Sequence, residues 1–148
     1  MSEHIATIDW QRSSEGFAYD EYNREHEWRF GSGITVNASA APAFHGDGQS
    51  VDPEEAFVAA VSSCHMLTFL ALCARKRIVV DSYSDNAVGV LAKNEAGKLA
   101  ITEVRLAPRI EFSSEAPDAA ALAALHERSH HECFIANSVN CEIRVAGD

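Results

Sequence analysis

The chain has 148 residues, of which 47% are hydrophobic and 23% charged, a composition typical of one globular domain spanning residues 1–148. Its formal net charge of −10 argues against nucleic acids and anionic membranes as partners, because both bind basic surfaces. Residues 1–4 show neither a basic nor an apolar segment, so no secretory signal is expected. We therefore predict a cytoplasmic protein whose four cysteines are reduced.

The N-terminal third is predicted to form antiparallel strands, because apolar and polar residues alternate along it. Strands are expected at Ile5–Trp10 and Tyr22–Phe30, and a third at Ile34–Val36 after a turn at Gly31–Gly33. Residues 42–50 are predicted to form a loop.

A long helix follows. Asp52 is a predicted N-cap, Pro53 suits the first helical position, and Glu55 completes a capping box, with the helix ending near Lys76. Residues 56–74 carry no charged side chain, which is close to the length of a membrane span. Interspersed Ser, His and Thr residues favour a helix buried in a protein core instead.

The second half alternates strands with one more helix. We expect a hairpin of Ala87–Ala92 and Leu99–Phe112 around a turn at Asn94–Gly97. A helix from Pro117 to about Cys133 and a last strand at Val139–Val145 are expected to follow. Pro108 indicates a bulge or an edge position within the second hairpin strand. The order of elements predicts an α+β domain.

The four cysteines differ in their expected surroundings. Cys64 and Cys73 are nine residues apart, about 180° around the helix, so they cannot pair with each other. Cys141 lies on the apolar face of the last strand and, like Cys73, is expected to be a packing residue. Cys64 and Cys133 remain as the pair to test, and both being core thiols stays open.

Two charged residues bear on the reactivity of Cys64. Arg24 lies on the predicted inward face of its strand, where it needs a partner such as the Glu54 carboxylate or a thiolate. Arg29 lies on the solvent face. Glu54 is about 15 Å from Cys64 along the helix, so a shared site would need Glu54 from a second subunit. A purely structural Arg–Glu bridge is the alternative.

The sequence also allows two functions other than a reactive cysteine. Cysteine and histidine side chains near Cys64 and Cys133 are potential metal ligands, but no CxxC or HExxH spacing occurs, and no metal site is predicted. A non-enzymatic dimeric module that binds a small molecule or partner protein, with structural cysteines, remains open.

The run Pro53–Ala60, with Cys64 ten residues after Glu54, resembles the osmotically inducible protein C and organic hydroperoxide resistance (OsmC/Ohr) superfamily. So does His130–Cys133 before the final strand. The resemblance implies an OsmC-like fold of antiparallel strands around a long central helix, an intertwined homodimer, and a peroxiredoxin-like thiol peroxidase. Its substrates would be organic hydroperoxides, with hydrogen peroxide as a second substrate.

The resemblance also implies roles for individual residues. Cys64 would be the peroxidatic cysteine and Cys133 the resolving one, while Arg24 and Glu54 would tune the thiolate, with Arg29 as the alternative arginine. No cofactor is implied, and an external thiol or dithiol, for example of the lipoyl type, would reduce the enzyme. The sequence Cys-Phe-Ile-Ala at 133–136 replaces the family's common Cys-Pro-Tyr-Ser or Cys-Pro-Val-Ser, which indicates a less studied branch.

Overall fold

The computed structural model describes residues 1–113 and 115–146, which form an α+β structure of two α-helices and eight strands. The chain divides into two compact units, Met1–Ala56 and Phe57–Asp148. The elements in chain order are β1 (Ala6–Asp9), β2 (His26–Phe30), β3 (Thr35–Ala38), α1 (Pro53–Arg75), β4 (Val80–Asp85), β5 (Val88–Lys93), β6 (Leu99–Leu106), β7 (Pro108–Phe112), α2 (Ala119–Glu132) and β8 (Glu142–Val145).

The N-terminal unit contains the predicted antiparallel sheet, with strand order β1-β2-β3. The prediction that β2 begins at Tyr22 was wrong, because the strand begins at His26. The amide groups of Glu21 and Tyr22 both donate to the Ala18 carbonyl, so the chain turns here instead of pairing in a ladder. A short 3₁₀-helix, Pro42–Phe44, lies within the predicted loop.

Helix α1 begins with the predicted capping box. The Asp52 carboxylate accepts from the Glu55 amide at 2.7 Å, and the Glu55 carboxylate accepts from the Asp52 amide at 3.2 Å. The helix ends at Arg75, and Arg77 adopts a left-handed conformation with φ of 61° just beyond it. Its length and composition would allow it to cross a membrane, as is also true of core helices in soluble proteins.

Within the unit that begins at Phe57, helix α1 contributes to two apolar clusters. The first, the Phe69 cluster, consists of Phe69, Leu72, Cys73 and Leu125, and strands β4 and β7 pack against it. The second, the Val61 cluster, consists of Val61, Val104 and Leu106, with residues of β6 and β8 around it. One face of the apolar helix therefore belongs to the core of this unit, with Val61, Phe69, Leu72 and Cys73 among its buried residues.

Two features of the strands were not predicted. Strand β4 was missed because a bulge between Val80 and Ser82 breaks the two-residue alternation, leaving Val80 and Tyr83 as its half-buried apolar residues. The predicted strand Leu99–Phe112 is two strands that belong to different sheets. The break is at Ala107, whose amide donates to the Asp85 carboxylate at 2.7 Å, and Pro108 is buried just after it.

The C-terminal elements follow the predictions with shifted boundaries. Asp118 caps α2 by accepting from the Ala121 amide at 2.8 Å, so the helix begins at Ala119 rather than at Pro117. Strand β8 pairs with β6 in parallel, at the edge of the sheet β5-β6-β8. The alternation of half-buried and exposed residues from 139 to 145 is as predicted.

Candidate functional site

Helix α1 presents Cys64 to a cavity of about 430 Å³. Residues at intervals of three and four positions along the helix line it together, because they share one helical face. Most of the lining is apolar, and the side chains that contribute carbon surface around Cys64 include Leu67, Ala71, Leu72 and Phe134. Cys64 is half-buried and is one of the residues that line the cavity.

Cys133 lies at the C-terminal end of α2, where its amide donates to the His130 carbonyl. Its side chain is 1% exposed. The Cys133 thiol donates to the Cys64 sulfur, and the two Sγ atoms are 2.7 Å apart, although both cysteines are free. The structure thus brings together the two cysteines that the sequence singled out.

The two thiols of this pair differ in accessibility, and the surroundings of Cys133 shift its pKa. Burial and the hydrogen bond to Cys64 raise the pKa of Cys133 to about 11. Cys133 therefore keeps its proton at neutral pH and acts as a donor toward Cys64. Cys64 is the more exposed of the two and is the one that lines the cavity.

The other two cysteines are packing residues, as predicted. Cys73 is 1% exposed within the Phe69 cluster, and Cys141 packs against the Val61 cluster. Burial raises the pKa of each thiol, which keeps both in the less reactive protonated form.

Within the N-terminal unit, Arg24 is buried, with 8% of its surface exposed. Its guanidinium donates to the backbone carbonyl of Tyr22 at 2.5 Å and to that of Tyr19. It also lies 3.6 Å from the centre of the Tyr22 ring, a cation–π contact. Arg24 lines a cavity of about 370 Å³, together with aromatic side chains that include Trp10 and Phe17.

The other two charged candidates are Glu54 and Arg29. Glu54 is half-buried in the first turn of α1, and among the described residues no salt bridge joins it to Arg24. Arg29 is exposed and forms a cross-strand bridge with Asp9, as expected for a residue on the solvent face. The described residues of one chain therefore show no ion pair between Arg24 and Glu54, and the pairing stays a prediction.

Comparison with known proteins agrees with this fold. Residues 46–146 match the sequence model of the OsmC-like protein family, which covers more than half of the chain. The chain belongs to the OsmC-like protein family. No protein with a curated description matches it.

Solved structures extend the similarity of this OsmC-like chain to almost its whole length. An OsmC-like protein of unknown function from Vibrio cholerae O1 biovar eltor is 47% identical, with 99% of each chain covered and a TM-score of 0.94. An organic hydroperoxide resistance protein from Elizabethkingia anophelis is 17% identical over 98% of this chain and 94% of its own, with a TM-score of 0.76. OhrB of Bacillus subtilis is 17% identical over 97% and 96%, with a TM-score of 0.71. The last two establish the shared fold alone.

Sequence analysis missed one polar contact beside the cysteines of this OsmC-like chain. His65 and His126 meet in the core, with His65 Nε2 3.0 Å from His126 Nδ1. Both are among the histidines near Cys64 and Cys133 that the sequence offers as potential metal ligands, and no group of three metal-binding side chains occurs in residues 1–113 and 115–146. The available signal was that each histidine occupies the buried face of its helix, beside Phe69 on α1 and Leu125 on α2.

Proposed function

We propose that the protein is a thiol peroxidase that reduces organic hydroperoxides, with Cys64 as the peroxidatic and Cys133 as the resolving cysteine. The observation that carries the proposal is the contact of the two free thiols, 2.7 Å apart, at the wall of an apolar cavity. Disulfide formation needs two sulfur atoms that approach to about 2 Å with suitable backbone spacing, a requirement that most pairs of free cysteines do not meet.

Accessibility supports the assignment of the two roles. A peroxide has to reach the attacking sulfur, and Cys64 faces the cavity whereas Cys133 is 1% exposed. The raised pKa of Cys133 keeps it protonated at neutral pH, so Cys133 is not the thiol that attacks the peroxide. The hydrocarbon surface of Leu67 and Phe134 favours a substrate that has an apolar part to bury, so organic hydroperoxides are preferred over hydrogen peroxide.

The proposed chemistry has two oxidative steps. The Cys64 thiolate attacks the terminal peroxide oxygen, the O–O bond breaks, and the departing alkoxide takes a proton and leaves as an alcohol, with a sulfenic acid on Cys64. The Cys133 sulfur then attacks the Cys64 sulfur, the S–O bond breaks, the thiol proton of Cys133 passes to the departing hydroxide, and a disulfide and water form. Early disulfide formation protects Cys64 from a second peroxide, which would produce the irreversible sulfinic acid.

An external thiol or dithiol would complete the cycle, with no bound cofactor. Its thiolate would attack the more accessible sulfur, Cys64, and release Cys133 as the leaving group. A second thiol, such as the other end of a dihydrolipoyl group, would then free Cys64. We propose that this cycle operates in the cytoplasm, where such reductants keep thiols reduced.

We propose further that the site is completed in a homodimer, in which the partner supplies Arg24 and Glu54. Glu54 is about 15 Å from Cys64 along helix α1, beyond the reach of its side chain. Apolar side chains near Cys64 are left for a partner to cover, with Leu67 60% and Phe134 82% exposed. A guanidinium near Cys64 would stabilise both the thiolate and the alkoxide leaving group.

The test is a comparison of peroxide consumption with cumene hydroperoxide and with hydrogen peroxide, using dihydrolipoamide as the reductant. We expect faster turnover of cumene hydroperoxide, no turnover by Cys64→Ser, and unchanged turnover by the control variant Cys141→Ser. Equal rates for both peroxides would contradict the apolar substrate preference. Turnover that survives in Cys64→Ser would contradict the function itself.

The dimeric site is tested by mixing two inactive variants, Arg24→Gln and Cys64→Ser, under conditions that exchange subunits. A mixed dimer would combine the intact Cys64 of one chain with the intact Arg24 of the other, and activity should return. A mixture that exchanges subunits but remains inactive would show that Arg24 acts within its own chain or has no role.

A further inference from the structure

A pair of buried histidines joins α1 to α2, the two helices that position Cys64 and Cys133. His65 Nε2 lies 3.0 Å from His126 Nδ1, and the two imidazole rings are nearly parallel, with 11° between their planes. The Phe69 ring also stacks against His126, with the ring centres 4.6 Å apart. His65 is 1% and His126 8% exposed, so this contact is inside the core.

The burial of His65 indicates how the hydrogen bond is oriented. His65 Nδ1 is buried without a hydrogen-bond partner. An unpaired N–H in the core costs more than an unpaired lone pair, so the proton of His65 is assigned to Nε2, which donates to His126 Nδ1. Burial, followed by the nearby His126 and His130, lowers the pKa of His65 to about 4, so the ring is neutral at neutral pH.

The histidine pair and the cysteine pair belong to one contact between the two helices. Cys64 and His65 are consecutive on α1. On α2 and at its C-terminal cap, His126, Ser129 and Cys133 recur at intervals of three and four residues and are all buried, so they share the inward face. Any shift of α2 relative to α1 would therefore move Cys133 relative to Cys64.

We propose that the His65–His126 hydrogen bond is a positioning contact that holds Cys64 and Cys133 within bonding distance and so controls disulfide formation. The proposal rests on the thiol peroxidase function for its biological meaning, but the geometry it concerns is independent of peroxide. Displacement of a reacting group by about 1 Å can lower a rate by about a hundredfold. The first attack on peroxide involves the sulfur of Cys64 and not that of Cys133, so this step does not depend on the distance between the two sulfur atoms.

Two sets of substitutions separate the hydrogen bond from the packing of the rings. His65→Phe and His126→Phe keep an aromatic ring and remove the hydrogen bond. His65→Gln keeps a donor near the position of Nε2, and His126→Asn keeps an acceptor near that of Nδ1, while both remove the ring. Val104→Ala, in the Val61 cluster, is the control for general loss of core packing.

The first measurement does not involve peroxide. The full-length protein is equilibrated in glutathione buffers of graded redox poise, free thiols are trapped, and the Cys64–Cys133 disulfide is quantified by mass spectrometry. Here the protein dithiol is oxidised to the disulfide while glutathione disulfide is reduced to two glutathione molecules. We expect the equilibrium constant for the disulfide to fall at least about tenfold in both Phe variants and to stay near the wild-type value in His65→Gln, His126→Asn and Val104→Ala.

The second measurement uses rising concentrations of cumene hydroperoxide and records the ratio of sulfinic Cys64 to Cys64–Cys133 disulfide. The Phe variants should form more sulfinic acid, because resolution is slow, while the initial rate of Cys64 oxidation is unchanged. If the wild-type protein does not react with peroxide, the proposed function fails, whereas the glutathione equilibrium still tests the histidine pair.

Three results would overturn the positioning role. The Phe variants could keep the wild-type equilibrium constant, the Gln and Asn variants could lose as much as the Phe variants, or Val104→Ala could lose as much as either Phe variant. One Phe variant could fail to fold, as judged by circular dichroism. The other Phe variant is then compared with the hydrogen-bonding variant at the same position, His65→Gln or His126→Asn, and that comparison decides the question.

Discussion

Acidification should destabilise the protein through His65 before its carboxylates are protonated. The folded protein holds His65 at a pKa of about 4, against 6.5 for an ordinary histidine, chiefly because burial disfavours the charged ring. His126 and His130 lower this pKa further, and Asp85 opposes them. Between pH 6.5 and 4 the unfolded chain therefore binds a proton that the folded chain does not, so stability falls as the pH falls.

The size of the effect follows from the difference between the two pKa values. From pH 7 to pH 5, protonation of His65 in the unfolded state alone should lower the free energy of unfolding by about 2 kcal/mol. The loss should approach its limit of about 3 kcal/mol near pH 4, where the folded state begins to bind the proton as well.

Urea unfolding at pH 7, 6 and 5 measures this loss directly. The wild-type protein is compared with His65→Phe, which cannot bind the proton, and with His4→Gln, which removes an exposed histidine. We expect the decrease in the free energy of unfolding between pH 7 and pH 5 to be about 2 kcal/mol smaller in His65→Phe and unchanged in His4→Gln. The same decrease in all three proteins would refute the argument that His65 is buried in its neutral form.

Three further predictions concern packing and the remaining thiol. Phe69→Ala should lower the free energy of unfolding by about 3–5 kcal/mol in urea titrations, because the side chain is fully buried in its cluster. Gly46→Ala should lower the free energy of unfolding by at least about 1–3 kcal/mol, because a Cβ there would lie 1.4 Å from the Ala40 carbonyl oxygen. Gly31→Ala is the control and should have little effect, because the nearest atom to its added Cβ is 3.9 Å away. Cys141→Ser should leave the yield of Cys64–Cys133 disulfide unchanged after peroxide treatment, and a lower yield would show that Cys141 exchanges with the pair.

The features predictable from sequence are those set by local chemistry. The capping box at Asp52 and Glu55 needs only two residues three positions apart. The hairpin turn at Asn94–Gly97 needs only the Asn94 side chain, which accepts hydrogen bonds from nearby backbone amides, and a glycine with φ of 72°. The burial of Arg24 was also predicted, from the alternation of apolar and polar residues. The strand that was expected to contain Arg24 begins two residues after it, at His26.

The features that escaped prediction depend on contacts between distant residues. Strand β4 is stabilised by its pairing with β7, and its bulge hides the alternation on which sequence analysis relies. The histidine pair joins residues 61 positions apart, and a lone histidine on an apolar helix face does not reveal its partner. The contact of Cys64 with Cys133 was expected only through the family resemblance, because sequence spacing does not determine the distance between two helices.

The central claim is that Cys64 and Cys133 form a redox pair that acts on peroxide, and one experiment tests it most directly. Reduced protein is treated with one equivalent of cumene hydroperoxide, remaining thiols are blocked, and the digest is analysed by mass spectrometry, with Cys64→Ser and Cys133→Ser as controls. We predict rapid formation of a Cys64–Cys133 disulfide in the wild-type protein, and a sulfenic or sulfinic Cys64 in Cys133→Ser. Four unmodified thiols in the wild-type protein would contradict the claim and leave a non-enzymatic binding module as the better account.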